Sequence, residues 1–393
     1  MTPMTLLPGE VLPQDRDRAC LIGRVWLPGE GGGPTPVRLD GDDVVSLLPA
    51  APTVAELLAG PDPLAAAREA GGERLGDIAD ILANSAADAR DPARPWLLAP
   101  CDLQALKACG VTFVKSMLER VIEEQAKGDP QQAAAVRAAI AGELGGSLSA
   151  VKPGSQAAAR VRQVLLERGL WSQYLEVGIG PDAEVFTKAQ PMAAVGPGAE
   201  VGIHPASTWN NPEPEAVLAV APDGRIVGAT LGNDVNLRDV EGRSALLLGR
   251  AKDNRASCAV GPFIRLFDEH FSLGDVRALE IRLHVEGADG FVLDGRSSMT
   301  EISRDPADLA AQALGPHNQY PDGLMLFTGT MFAPVEDRDA PGEGFTHHLG
   351  DVVRISAPAL GELVNRVNRT DRIAPWTFGT GALMRNLAAR SLI

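Results

Sequence analysis

With 393 residues, 45% hydrophobic and 22% charged, the chain has the composition of a globular protein and the length of two or three folded units. Its 51 acidic against 36 basic residues give a formal net charge of -15, a field that repels phosphate backbones and anionic lipid surfaces and so argues against nucleic-acid and membrane partners. The opening MTPMTLLPGEVLPQDRDRAC has no basic segment followed by an apolar run, and no apolar stretch of about 18 residues occurs, which predicts a cytoplasmic protein.

Residues 1–100 are rich in Pro and Gly, with strand-like pieces (ACLIGRVWL, DDVVSLL) and a short helical one (PTVAELLAG), the pattern of a small N-terminal α/β domain. From Asp102 the spacing of Leu103, Leu106, Val114, Leu118 and Val121 predicts a helix, DPQQAAAVRAAIAGEL begins a second, and SQAAARVRQVLLERGLWSQYL a third, so residues 101–176 read as a helical connection. Residues 177–393 turn to short alternating strands such as RALEIRLHVEGADGFVLDG and GDVVRISAPALGELVNRV. The expected class is α+β. Cys20, Cys101, Cys109 and Cys258 are irregularly spaced with no C-x-x-C pair, the usage of reduced structural thiols.

One stretch carries chemistry. In NPEPEAVLAVAPDGRIVGATLGNDVNLRD the Asp223-Gly224 dipeptide between two apolar runs predicts a two-residue hairpin loop. A register that pairs Pro222 with Arg225 also sets Glu213 opposite Asp234, with Glu215 two residues along on the same face. Pro214 then belongs at an edge or at the start of its strand. Like charges about 4 Å apart cost on the order of 4 kcal/mol per pair at an effective dielectric near 20, so three converging carboxylates call for protons or a cation. All-oxygen ligation points to Mg2+, with Mn2+ or Ca2+ as alternatives. The other reading of the same residues is a solvated acidic hairpin face.

This combination, Glu-x-Glu, a hairpin, then GNDVNLRD, resembles the fumarylacetoacetate hydrolase superfamily, and FTKAQP, AKDNRASCAVGPF and LGDVVRISAPALGELVNRV extend the resemblance over residues 108–370. The resemblance implies a C-terminal mixed β-roll, a homodimer or homotetramer, Mg2+ held by Glu213, Glu215 and Asp234, Lys188 and Arg238 bordering the site, and Lys252 as the catalytic lysine. Family members that cleave acylpyruvates or decarboxylate oxaloacetate carry a G-x-N-Y-x-x-H-x-x-E lid segment whose His and Glu activate water. The corresponding GVTFVKSMLE has Ser116 in place of the His and keeps Glu119, and Ser116 cannot act as a base near neutral pH.

The hydroxyl-rich GRSSMTEISRDP fits either a structural capping turn or a polyhydroxylated ligand. With Ser116 and the long N-terminal extension, it is similar to the branch that dehydrates 2-keto-3-deoxy sugar acids such as 2-keto-3-deoxy-D-xylonate and 2-keto-3-deoxy-arabinonate. That likeness implies a metal-dependent lyase yielding 2,5-dioxopentanoate, with a partly neutral Lys252 as base, Glu119 and Ser116 assisting loss of the C4 hydroxyl, and Ser298, Arg304, Arg238 and Thr330 contacting substrate. A lysine Schiff base, C–C bond cleavage of acylpyruvates, and a non-enzymatic sugar-acid binder holding structural Ca2+ remain as alternatives, and the His347-His348 pair is a further candidate to reach the site.

Overall fold

In a computed structural model of the chain, the residues described are 4–113, 117, 151–167, 169, 171–331, 336–340 and 344–393. Strands in chain order are β1 (Leu21–Leu27), β2 (Gly33–Asp40), β3 (Asp43–Ser46), β4 (Arg74–Asp77), β5 (Trp96–Leu98), β6 (Ala105–Gly110), β7 (Glu184–Ala189), β8 (Glu200–Ile203) and β9 (Asn210–Asn211). They continue with β10 (Pro214–Val220), β11 (Ile226–Asp234), β12 (Asn236–Leu237), β13 (Cys258–Leu266), β14 (Glu280–Glu286), β15 (Val292–Ser298), β16 (Leu324–Phe327), β17 (Val352–Ala357) and β18 (Gly361–Arg369).

An 11-stranded sheet runs β4-β3-β2-β1-β13-β11-β10-β16-β6-β7, with β5 paired to β1, and a 5-stranded sheet runs β15-β14-β17-β18-β8. Both are mixed, because β16 pairs with β6 in parallel and β18 with β8 in parallel. Alternation along β10 explains how they stack. Ala216, Leu218 and Val220 face a core shared with Ile281, Leu283, Ile355 and Leu363 of the smaller sheet, while Val217 and Ala219 face Val54, Leu57 and Leu58 of the helix Val54–Ala59. Each such Leu, Ile or Val contributes roughly 1.5–3 kcal/mol by its burial. Among the described residues no helix is long and apolar enough to cross a membrane.

The first hundred residues do not stand apart from this sheet: Leu21 and Ile22 of β1 pair with Arg265 and Ile264 of β13, so β1 to β4 extend it. Arg265, 1% exposed, holds Asp15 through two bonds of 2.7 Å, and this hydrogen bonding keeps the Asp15 carboxyl below its ordinary value. Asp102 accepts from the Val54 and Ala55 amides at 2.7 and 2.9 Å, satisfying the start of the helix Val54–Ala59.

Two sequence expectations change here. Residues 105–110 form strand β6 rather than helix, because the slot between β16 and β7 pairs its backbone and alternation buries Leu106 and Ala108 while Lys107 reaches Thr187 at the surface. The expected helix over 130–144 lies outside the described residues. The hairpin loop is also one residue longer than expected: Ala221 N donates to Arg225 O, enclosing Pro222, Asp223 and Gly224, with Gly224 at φ 88°. A register irregularity beyond Ala219 takes up the extra residue, so Ala219 faces Gly228 and Pro214 faces Asn233 as the two-residue loop predicted. Pro214 opens its strand, which lies between β11 and β16 rather than at an edge.

All four cysteines are buried free thiols. Burial pushes the Cys20 thiol up to about 11 and that of Cys101 up to about 12, and it raises Cys109 and Cys258 as well.

Candidate active site

The hairpin stem delivers the three carboxylates together. Glu213 precedes β10, Glu215 is its second residue, Asp234 ends β11, and the Asp234 amide donates to the Glu213 carbonyl at 3.1 Å. They are 7%, 1% and 1% exposed, and each offers an oxygen within 4.8 Å of the others. Burial and the neighbouring acids together raise the Glu213 carboxyl, and they raise that of Glu215 well above the ordinary value.

Lys252, the last residue of the helix Leu248–Lys252, hydrogen-bonds Glu213 Oε2 and lies 3.0 Å from Asp234 Oδ2. Burial alone would lower its ammonium, but Asp234, Glu213 and Glu241 outweigh that and hold it above the lysine range. Lys252 is thus clasped by two carboxylates. Lys188, fully buried on β7, lies 2.8 Å from Asp234 Oδ1 and donates to the carbonyls of Val235 and Lys252 and to Ser257 Oγ. Its approach to Oδ1 brings opposite charges together without hydrogen-bond geometry, so that oxygen is buried with no donor among the described residues.

Two further groups orient the carboxylates. Gly329 N donates to Glu215 Oε2 at 2.6 Å from a backbone at φ 90°, where a Cβ would lie 2.0 Å from Thr112 Oγ1. Asn236 Nδ2 donates to Glu213 Oε1 at 3.0 Å and to Glu241 Oε2 at 2.7 Å. Neither Gly329 nor Asn236 was singled out from sequence. The hairpin register, carried two residues past Asp234, contains the signal for Asn236; nothing local marks Gly329, which arrives from β16.

This set fits a hard divalent cation: three clustered all-oxygen ligands, buried negative charge, and an Asp234 oxygen that accepts no hydrogen bond among the described residues. Each carboxylate also has an outer partner that fixes its orientation.

The remaining expected residues divide. Ser298, buried at the end of β15, shares a hydrogen bond of 2.8 Å with Thr300, and Thr330 follows Gly329 directly. Arg238 lies 4.3 Å over the Trp209 ring. Arg304 needs correction, because its guanidinium is buried and donates to the carbonyls of Val177, Gly180 and Asp182, which end and follow the helix Gln173–Ile179. It anchors a helix C-terminus rather than facing a ligand carboxylate. His347 pairs with Asp351, and His348 with Asp289 and Asp339. Ser116 and Glu119 lie outside the described residues. Thr112 O, just before them, accepts from the amide and hydroxyl of Ser303, so the serine-rich turn abuts the start of that segment.

Residues 175–368 match the fumarylacetoacetate (FAA) hydrolase C-terminal family. The chain is 31% identical over 201 residues to a "Probable 2-keto-3-deoxyxylonate dehydratase" of Haloferax volcanii, covering 51% of this chain and 65% of that one. It is 32% identical over 190 residues to a "2-dehydro-3-deoxy-D-arabinonate dehydratase" of Saccharolobus solfataricus, covering 48% and 60%. The chain thus spans less than two thirds of the length of either relative. Among solved structures, an apo 2-keto-3-deoxy-D-arabinonate dehydratase aligns with a TM-score of 0.62 at 21% identity over 89% of this chain and 99% of its own. A 2-keto-3-deoxy-D-arabinonate dehydratase complexed with magnesium and 2,5-dioxopentanoate aligns over the same shares with a TM-score of 0.61 at 21% identity. At that identity the likeness establishes the fold.

Proposed function

We propose that the chain, whose residues 175–368 match the fumarylacetoacetate (FAA) hydrolase C-terminal family, is a divalent-cation-dependent dehydratase of 2-keto-3-deoxy pentonates. The substrate of first choice is 2-keto-3-deoxy-D-xylonate and the product 2,5-dioxopentanoate. The observation that carries the reading is the buried convergence of Glu213, Glu215 and Asp234 beside the Lys252 ammonium. Relatives named for this substrate class support the choice, as does a same-fold enzyme complexed with magnesium and 2,5-dioxopentanoate.

In this reading Glu213, Glu215 and Asp234 hold Mg2+. When bound, the ion supplies Lewis-acid polarisation of the 2-oxo group and neutralises the buried carboxylates. With a bound cation balancing Glu213 and Asp234 in place of its ammonium, Lys252 would release its own proton, and its neutral Nζ would take one from C3, while Lys188 holds the Lys252 carbonyl and Asp234 in place. Arg238 and Thr330 border the carboxylate end of the substrate, and Ser298 the hydroxyl end. Glu119, with Ser116, hands a proton to the departing C4 hydroxyl. The atoms balance as loss of one water: C3–H and C4–OH leave, a proton shift from C5 to C3 gives a C4–C5 enol, and that enol ketonises to the aldehyde.

A coupled assay tests this reading: purified protein, Mg2+ and 2-keto-3-deoxy-D-xylonate, with an NAD(P)-linked semialdehyde dehydrogenase reporting 2,5-dioxopentanoate. An EDTA-sensitive signal is expected. No signal with this substrate or its C4 epimer sinks the dehydratase reading, and release of pyruvate from an acylpyruvate would replace it with C–C cleavage.

A further inference from the structure

The hairpin register does not stop at the carboxylates. Asn211 pairs with Asn236 across β9 and β12 at the same offset that pairs Pro214 with Asn233, and the bond from Asp234 N to Glu213 O lies between these pairs. Because side chains alternate along paired strands, Asn211, Glu213 and Glu215 on one chain segment share a face with Asp234 and Asn236 on the other. Each asparagine is 1% exposed.

Both amides are fixed in orientation. Asn236 Nδ2 donates to two carboxylates, and Asn211 Nδ2 donates to the Pro212 carbonyl at 2.9 Å, so flipping either amide would press oxygen against oxygen. Their Oδ1 atoms are left buried with no donor among the described residues. A buried amide oxygen without a donor calls for one, and here two of them lie on the face that carries the three carboxylates. The missing partner is therefore a hydrogen-bond donor, and it must reach the face that carries the three carboxylates. Asn236 gives its nitrogen to Glu213 and Glu241, which leaves its oxygen free to accept from a group bound next to the cluster.

Resting on the dehydratase reading for the identity of the ligand, we propose that Asn211 and Asn236 are specificity-determining residues whose amide oxygens accept hydrogen bonds from the hydroxyls of a polyhydroxylated 2-oxo acid. Pyruvate and simple acylpyruvates present no hydroxyl at the positions corresponding to C4 and C5. They leave both oxygens unsatisfied, and a buried acceptor built for a hydroxyl discriminates strongly against an analogue lacking one.

The test compares full-length wild type with Asn211→Leu and Asn236→Leu, each checked for folding by thermal melting. Three quantities are read: kcat/KM for 2-keto-3-deoxy-D-xylonate, the inhibition constant of pyruvate, and Mn2+ affinity by electron paramagnetic resonance without substrate. The expected result for Asn211→Leu is a loss of roughly 10-fold or more in kcat/KM, with the pyruvate constant and Mn2+ affinity within about 3-fold of wild type. Asn236→Leu adds a fall in Mn2+ affinity, since it also releases Glu213. A matching fall in Mn2+ affinity for Asn211→Leu would assign the oxygens to the cation's own shell and overturn the proposal. So would equal losses for pyruvate and the sugar acid, or no change for either. If Asn211→Leu does not fold, Asn211→Ala gives the same comparison. A wild type that binds the sugar acid without turning it over would defeat the dehydratase reading alone, and calorimetric affinities would then replace kcat/KM. A wild type that does not bind it overturns both.

Discussion

Lys252 Nζ lies 3.0 Å from Asp234 Oδ2 and also holds Glu213, so with Lys188 it brings positive charge to the carboxylate cluster. Both groups are buried, and breaking such a pair from one side costs about 3–5 kcal/mol, because Asp234 is left with Lys188 alone and Glu213 with a neutral amide. Lys252→Met should therefore be destabilised by about that amount in EDTA and should regain more stability on adding Mg2+ than wild type does, since the cation offsets the missing ammonium. Thermal melts of both proteins, with and without Mg2+, check this. Identical Mg2+ shifts would mean that the cation does not replace the Lys252 ammonium at the carboxylates, and no shift in either protein that the triad holds no cation.

Gly329 combines a positive φ with no room for a methyl group, and its amide orients Glu215. Gly329→Ala should cost roughly 2 kcal/mol or more from backbone strain and the clash with Thr112. Loss of an outer-shell orienting bond should also weaken Mg2+ binding about 10-fold. Urea unfolding and calorimetric Mg2+ titration measure the two effects, and wild-type values in both would remove Gly329 from the support of the site.

Arg304 serves the helix Gln173–Ile179 through three backbone carbonyls. Arg304→Met leaves those acceptors unpaired and should cost about 2–4 kcal/mol. KM for a 2-oxo acid should stay near wild type in the folded fraction. A large rise in KM with unchanged stability would return Arg304 to carboxylate binding.

Asp351 predicts a pH dependence. Burial alone would raise its carboxyl, but hydrogen bonds from Arg338 and His347 outweigh it and bring the pKa from its ordinary 3.8 down to about 2. The folded pKa is thus the lower one, so the stabilisation is fully present above about pH 4 and is lost as pH falls toward 2. That shift corresponds to about 2 kcal/mol. Asp351→Asn should therefore be less stable than wild type by at least about 2 kcal/mol at pH 7, with a gap that narrows on acidification from pH 4 to pH 2. Denaturant melts across that range would show it, and a gap independent of pH would assign the cost to lost hydrogen bonds instead of charge.

The carboxylate triad was legible because everything needed lies within one hairpin. Alternation of apolar residues in AVLAV and IVGAT, a Pro-Asp-Gly turn, and a side-chain period of two together set Glu213 opposite Asp234. The longer loop leaves the triad in place, because the register irregularity past Ala219 returns the strands to the offset that buries both faces of β10. Strand β6 was misread for the complementary reason. A-L-K-A-C-G is too short for its apolar spacing to separate helix from strand, and only its neighbours β16 and β7 choose between them.

Arg304 and Lys252 show the same division at the level of single side chains. A sequence states that an arginine or lysine carries charge; whether it meets a ligand, a helix end or a pair of carboxylates depends on segments far away along the chain. The sequence by itself determined the local pairings: which strands form a hairpin, which carboxylates share its face, and, by extending the register, that Asn211 and Asn236 flank them. Only the tertiary structure decided that Gly329 would orient Glu215, that Lys188 and Lys252 would both reach Asp234, and that the first hundred residues would extend the main sheet. The reason is physical: alternation and turn geometry act between residues a few positions apart, whereas burial, charge pairing and sheet order are set by contacts between segments whose separation in sequence carries no geometric information.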